Sequence, residues 1–256
     1  MTPTEAQDCE VQCADGEQTG CIALGLLHLD GTLMSKSPRH AARLFETACT
    51  AGNALGCTHL GELAAAGNGI DKDEARAASL FNRACNAGDP LACSDLGVLR
   101  AEGRGVIRDD TRADELFTKA CDAGIAAACS YLGLFHATGR GVTLDPSRAA
   151  ELFTKACDGD DGRGCAELGT LFLGGRGISS NADKAVAHFT KGCDLGNAMA
   201  CSQLGLLVRI RTGDPAGAVP LFTKGCDGGD AAGCRHLAVV YAEGLGVPRD
   251  QARAIG

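Results

Sequence analysis

Ala113-Asp114-Glu115-Leu116-Phe117-Thr118-Lys119-Ala120-Cys121-Asp122-Ala123-Gly124-Ile125-Ala126-Ala127-Ala128-Cys129-Ser130-Tyr131-Leu132-Gly133 is the stretch that decides the fold. Ala113, Leu116, Phe117 and Ala120 fall at i, i+3, i+4 and i+7, one face of an α-helix. Cys121 closes that helix, and Cys129, eight residues on, opens a second. The same text returns one period later, with Ala149, Leu152, Phe153 and Ala156 ahead of Cys157.

Working outward, the eight-residue cysteine spacing occurs seven times: Cys13 and Cys21, Cys49 and Cys57, Cys85 and Cys93, Cys121 and Cys129, Cys157 and Cys165, Cys193 and Cys201, Cys226 and Cys234. Successive pairs stand 36 residues apart, except for a last step of 33, and Cys9 is left over. A period of this length marks a solenoid of stacked units. Ser37, Asp73, Asp109, Asp145, Asn181, Asp214 and Asp250 share one repeat position, and all are good N-cap residues. Pro38, Pro146 and Pro215 follow three of them, where a helix tolerates a missing N–H. Gly52, Gly88, Gly124, Gly196 and Gly229 fall where the first helix should end on a left-handed residue.

The second helix carries Leu60-Gly61, Leu96-Gly97, Leu132-Gly133, Leu168-Gly169 and Leu204-Gly205. A glycine inside a helix costs about 1 kcal/mol relative to alanine. Its recurrence predicts close helix–helix approach at that point. Gly-x-Gly followed by Val or Ile, as in Gly103-Arg104-Gly105-Val106 and Gly175-Arg176-Gly177-Ile178, then turns the chain toward the next N-cap. A phosphate-binding loop is a poor reading of these glycines, because no strand precedes them and they recur as punctuation.

Composition agrees with small, repeated units. The 256 residues hold 36 Gly, 8 Phe, 2 Tyr and no Trp, so alanine and leucine must fill the core. A net charge of -8 disfavours a nucleic-acid partner. No apolar run reaches the roughly 18 residues that span a bilayer.

The pattern A-x-x-L-F-x-K-A-C-D-x-G-x-x-x-x-C-x-x-L-G-x-L-x-x-x-G-x-G-V resembles the Sel1-like repeat, a relative of the tetratricopeptide repeat, in its cysteine-rich, Hcp-like branch. The resemblance runs from about Cys13 to Gly256. It implies an all-α, right-handed α/α solenoid of helical hairpins, each tied by a disulfide at its short loop. The expected organisation is a flank over 1–12, then a solenoid over 13–256 of about six and a half repeats. Pairing within each hairpin also suits the geometry, since one cysteine ends a helix and the other begins its antiparallel neighbour. Structural zinc and free thiols compete with it, but zinc sites are usually built on Cys-x2-4-Cys knuckles at matching spacing. Cys9 to Cys13 is a lone Cys-x3-Cys. The expected state of Cys9 is an unpaired thiol, against an intermolecular bridge or competition with Cys13 for Cys21.

Seven disulfides need an oxidising compartment, the periplasm or cell exterior, with the mitochondrial intermembrane space or a reduced cytoplasm as alternatives. Met1 to Asp15 holds no basic segment followed by an apolar run, so a removed leader or another export route is expected. Asp250 to Ala254 begins another helix, which reads as an incomplete last repeat.

The resemblance to this branch also implies a β-lactamase or penicillin-binding activity, but the residues give it thin support. Serine β-lactamases use Ser-x-x-Lys, Ser-Asp-Asn and Lys-Thr-Gly. Here Ser-x-x-Lys is missing, Ser94-Asp95 is followed by Leu96, and Thr190-Lys191-Gly192 runs in the wrong order. His28, His40, His59, His136, His188 and His236 each stand alone in their segments, unlike clustered zinc ligands. No catalytic residue, metal or cofactor is expected. Lys119, Lys155, Lys191 and Lys224, each beside a threonine, read as a solvated basic edge near helix C-termini.

The expected role is a monomeric scaffold that binds a protein or peptide on its concave face. Positions that vary between repeats on the second helix should line that face: Thr58, His59, Glu62, Ser94, Asp95, Tyr131, His136, Glu167, Gln203 and Arg235. The alternatives are a weak β-lactam hydrolase and, by resemblance to a mitochondrial assembly factor of the same repeat type, a cysteine-rich redox or assembly helper. One irregularity stands out. After Leu207 the Gly-x-Gly-Val loop is gone, and Pro220 falls inside the next helix. A kink, or a change of superhelical angle, is expected between residues 208 and 222.

Overall fold

A computed structural model describes residues 3–255. The extreme ends of the expected spans, residues 1–2 and 256, lie outside the described residues. Every regular element among the described residues is an α-helix. The first helices of the hairpins are α1 (Pro3–Ala14), α3 (Pro38–Thr50), α5 (Glu74–Asn86), α7 (Asp110–Asp122), α9 (Pro146–Asp158), α11 (Ala182–Asp194) and α13 (Pro215–Asp227). The second helices are α2 (Gln18–Asp30), α4 (Ala54–Ala66), α6 (Pro90–Glu102), α8 (Ala126–Thr138), α10 (Gly162–Gly174), α12 (Ala198–Thr212) and α14 (Ala231–Glu243). A short α15 (Gln251–Ile255) follows. Helix α1 crosses the expected boundary at residue 12 and packs on α2, so residues 3–12 are part of the first hairpin. The chain is an all-helical repeat solenoid in two compact units, one ending at Ala123 and the other starting at Gly124.

Local chemistry sets each boundary. Asp73, Asp109 and Asp145 accept from the N–H of Arg76, Arg112 and Arg148 at 2.8, 2.9 and 2.9 Å. Ser37, Asn181, Asp214 and Asp250 cap their helices in the same way. A second series of caps was not read from the sequence. Asn53, Asp161, Asn197 and Asp230 accept from backbone N–H groups opening the second helices. Between the helices of each hairpin, Gly52, Gly88, Gly124, Gly196 and Gly229 have φ of 96°, 101°, 95°, 84° and 87°. In the α9–α10 hairpin the same place is held by Asp160 at φ 60°, a conformation aspartate tolerates better than most residues.

Cysteines tie the hairpins. Cys13–Cys21, Cys49–Cys57, Cys85–Cys93, Cys157–Cys165, Cys193–Cys201 and Cys226–Cys234 are disulfides with Cα separations of 4.4 to 4.7 Å. Cys121 and Cys129 are also disulfide-bonded, and Cys9 is a buried free thiol. This bonding suits an oxidising compartment.

Hairpins join one another through a phenylalanine set on a glycine. Gly61 of α4 faces Phe81 of α5, and a Cβ there would stand 2.6 Å from the ring. Gly25 and Phe45, Gly97 and Phe117, Gly133 and Phe153, Gly169 and Phe189, and Gly205 and Phe222 repeat the contact, with distances of 2.4 to 2.9 Å. Each ring is at most 3% exposed. The close approach expected from the recurrent glycine is therefore a ring-sized notch for the next hairpin.

The short sixth step keeps this lock. Helix α12 runs 15 residues instead of 13, and only Gly213 and Asp214 separate it from α13. Helix α13 continues from Pro215 through Pro220 to Asp227. Pro220 lies on the exposed side, where water can reach the backbone carbonyl it leaves unpaired. Phe222 remains fully buried on Gly205.

Candidate functional site on the second helices

Consecutive second helices touch: α2 and α4 in the first unit, and α8, α10, α12 and α14 in series in the second. Their remaining half-exposed side chains form the candidate surface of each unit.

In the first unit the expected residues divide into interior and surface. Thr58 is fully buried and Ser94 is 5% exposed, so neither can meet a partner. This corrects their assignment to the surface. The single Thr58 hydroxyl proton lies within reach of two acceptors, the Ala54 carbonyl at 3.1 Å and the Asp89 carboxylate of the next hairpin. Ser130 does the same in the second unit, donating to Asp161 at 2.5 Å. In these repeats the residue just after the second cysteine points between hairpins, whereas Arg235 after Cys234 is exposed. His59, Glu62 and Asp95 are half-buried at the surface. The His59 ring packs on Phe45 at 5.1 Å between centroids, and its Nδ1 is 2.9 Å from the Glu62 carboxylate.

Burial, then the nearby Glu62 and Asp89 carboxylates, pushes the Asp95 carboxyl up to about 6. The native chain therefore holds this proton more tightly than the unfolded chain. Folding takes up a proton between the unperturbed 3.8 and about 6, so stability falls as pH rises through that window. Asp95→Asn should raise stability at neutral pH by about 1–2 kcal/mol, a value discounted for solvent screening. The gain should vanish below pH about 4. Urea titrations of both chains at the two pH values check it; an equal gain at both removes the charge explanation.

In the second unit Tyr131, His136, Glu167 and Gln203 are half-buried and Arg235 is exposed. The guanidinium of Arg163 lies over the Tyr131 ring at 4.7 Å. Arg163 also attracts Glu167, but burial outweighs it and pushes the Glu167 carboxyl up. Tyr131 and Glu167 are thus gathered around one arginine that the sequence reading did not select. Gln203 and Arg235 stand on α12 and α14, and among the described residues no hydrogen bond or ion pair joins them to this group. His236 stacks on Phe222 at 5.1 Å, and His59 packs tilted on Phe45 at the same separation. These histidines are packing residues on the rings beneath them. Among the described residues no group of three or more His, Cys, Asp or Glu side chains could hold a metal.

A cleft of about 510 Å3 opens between α8 and α10. Leu134, Ala137, Phe153 and Leu171 make its apolar floor, and Glu167, Thr170 and Arg176 stand around it. Of these, only Glu167 was selected from the sequence.

Two lysines of the recurrent series reach into the preceding hairpin. Lys119 Nζ donates to the Cys85 carbonyl and Lys191 Nζ to the Cys157 carbonyl, each at 2.7 Å. Both lysines cap the C-terminus of the preceding hairpin's first helix, where a cation suits the helix dipole. They are inter-repeat staples rather than a solvated edge.

Comparison with known proteins agrees with this architecture. No curated protein matches the sequence. The structure is similar to c5321, a protective antigen of uropathogenic Escherichia coli strains displaying an SLR fold, with a TM-score of 0.78 and 25% identity over 99% of this chain. The chain spans 56% of the length of that protein. It is also similar to a Sel1 repeat protein from Oxalobacter formigenes, with a TM-score of 0.77 and 21% identity over 86% of this chain and 96% of the other. Helicobacter pylori cysteine rich protein B is 31% identical over 52% of this chain and 96% of its own, with a TM-score of 0.43. No helix among the described residues is long and apolar enough to cross a membrane. The Sel1 repeat matches residues 19–53, 54–89, 90–125, 126–161, 162–197 and 231–256. With six matches covering most of its length, the chain belongs to the Sel1 repeat family.

Proposed function

We propose that this chain is a non-catalytic scaffold that holds a protein or peptide partner on the surface of its second helices. Sel1 repeats generally serve protein interaction, and this chain shares their construction. The observation that carries the reading is the cleft between α8 and α10, where apolar floor and polar rim meet. Concave, mostly apolar sites with a few placed polar groups are the usual form of a binding site. The fixed elements of the repeat, its caps, disulfides and Phe–Gly contacts, are used up in folding. The second-helix side chains that vary are left for recognition. The disulfides suit work in the periplasm or outside the cell.

The test is site-specific crosslinking in the source cell. A photoreactive side chain at Thr170, on the cleft rim, should trap a defined protein. The same group at Glu115, exposed on a first helix, should not. Equal crosslinking from both positions rejects the second-helix surface. Turnover of a chromogenic cephalosporin, abolished by a single polar substitution, rejects the non-catalytic reading.

A further inference from the structure

Of the three Gly-Arg-Gly loops, those at Arg104 and Arg176 lie two periods apart, and their arginines meet different fates. Arg104 donates to Glu74 Oε1 from Nε and Nη2 at 3.0 and 2.8 Å, and to Glu102 Oε2 from Nη1 at 3.1 Å. Its charge is spent within its own hairpin. At the equivalent places in the α9–α10 hairpin, Glu74 is replaced by Pro146 and Glu102 by Gly174. Arg176 has no hydrogen bond or ion pair among the described residues. Pro146, Gly174 and Arg176 all line the cleft. The changes that free the arginine are the ones that border the opening.

At the other end, the Glu167 carboxylate has no hydrogen bond or ion pair among the described residues either. The guanidinium of Arg163, which attracts it, is engaged on Tyr131. Glu167 and Gly174 are seven residues apart on α10, or about 10 Å along the helix axis. The cleft thus presents, in sequence, a carboxylate without a hydrogen-bond partner, an apolar floor and a guanidinium without one.

Resting on the binding role proposed above, we propose that this cleft docks an extended peptide segment with a basic residue and an acidic residue flanking apolar side chains. The basic group meets Glu167, the apolar side chains cover Leu134 and Leu171, and the acidic group meets Arg176. An extended chain advances about 3.3 Å per residue, so the two charges should stand about three residues apart.

Peptides with blocked ends test this, arrayed in all orders of one lysine, one glutamate and intervening leucines. They are read by fluorescence anisotropy against the oxidised full chain. Lysine and glutamate about three positions apart should bind best. Gly174→Glu restores the glutamate found at 102. Its Cβ would stand 3.7 Å from Arg176 Cγ, ordinary contact, so the side chain is accommodated. It should neutralise Arg176, weaken the best peptide at least tenfold and remove the preference for glutamate. Glu167→Lys should remove the preference for lysine and favour peptides with two glutamates. Unchanged melting and disulfide content would show that both variants are folded. Peptide binding that both variants leave within twofold of the wild type overturns the cleft assignment while the scaffold role stands. Absence of binding by every array member overturns the charge order assigned to the partner, and the crosslinking experiment then judges the scaffold role separately.

Discussion

Reduction of the disulfides, with no other change of conditions, is expected to unfold this chain rather than soften it. Each bridge closes a loop eight residues apart in sequence, at Cα separations of 4.4 to 4.7 Å. The chain-entropy relation gives about 2.5 kcal/mol for one such closure. The loops do not overlap, and stability in a solenoid is close to a sum over units and their neighbours. Seven such closures, that of Cys121 and Cys129 included, then sum to about 17 kcal/mol, beyond the total stability of an ordinary domain. The core cannot make up that loss, because one phenylalanine per hairpin is its largest fully buried side chain in most units and alanine fills much of the rest. Calorimetry with and without a phosphine reductant checks it. The oxidised chain should show a clear transition, and the reduced chain none above room temperature. The single pair Cys85→Ser with Cys93→Ser should cost about 2.5 kcal/mol. An unchanged transition after full reduction would mean that helix packing alone holds the hairpins.

The elements written once per repeat were legible in the sequence. Asp109 and its equivalents gave the helix starts, and Gly133 and its equivalents announced close packing. What the sequence concealed were contacts between hairpins. Thr58 and Ser94 differ from repeat to repeat, and variation reads as surface. Yet Ile22, Thr58, Ser94, Ser130, Ala166 and Ser202 all occupy one buried place. From the second hairpin on, variation is tolerated there because small side chains fit one interior space, with Thr58 and Ser130 finding a carboxylate in the next hairpin. Lys119 and Lys191 misled for a related reason. Their acceptors lie 34 residues back, beyond any local pattern. The cleft was hidden because its signal is an absence. Only the pairing of Arg104 with Glu74 and Glu102 gives Pro146 and Gly174 their meaning.

Replacing Gly133 by alanine is expected to destabilise the chain, although helix propensity alone favours it. In an open helix that change stabilises by about 1 kcal/mol. Here the new methyl would lie 2.6 Å from Phe153 Cε1, well inside contact distance. The ring is 1% exposed and set among Ala149, Ala150, Cys157 and Leu168, so it has nowhere to retreat. Overpacking of a filled core costs about 1–3 kcal/mol, enough to reverse the sign. Phe153→Ala should cost more, about 3–5 kcal/mol, since it empties the notch. Gly133→Ala combined with Phe153→Leu should recover part of the loss, because the smaller side chain makes room for the methyl. The two positions would then show the coupling expected of residues in contact. At Gly52, where φ is 96° and nothing lies within 4 Å, alanine should also destabilise. There the cause is backbone strain, and no change in a neighbouring side chain should relieve it. Urea titration of the single and double variants separates the two causes. Recovery at Gly133 and none at Gly52 is the expected pattern. A stabilising Gly133→Ala would show that the ring yields, and that the phenylalanine notch does not set the approach of successive hairpins.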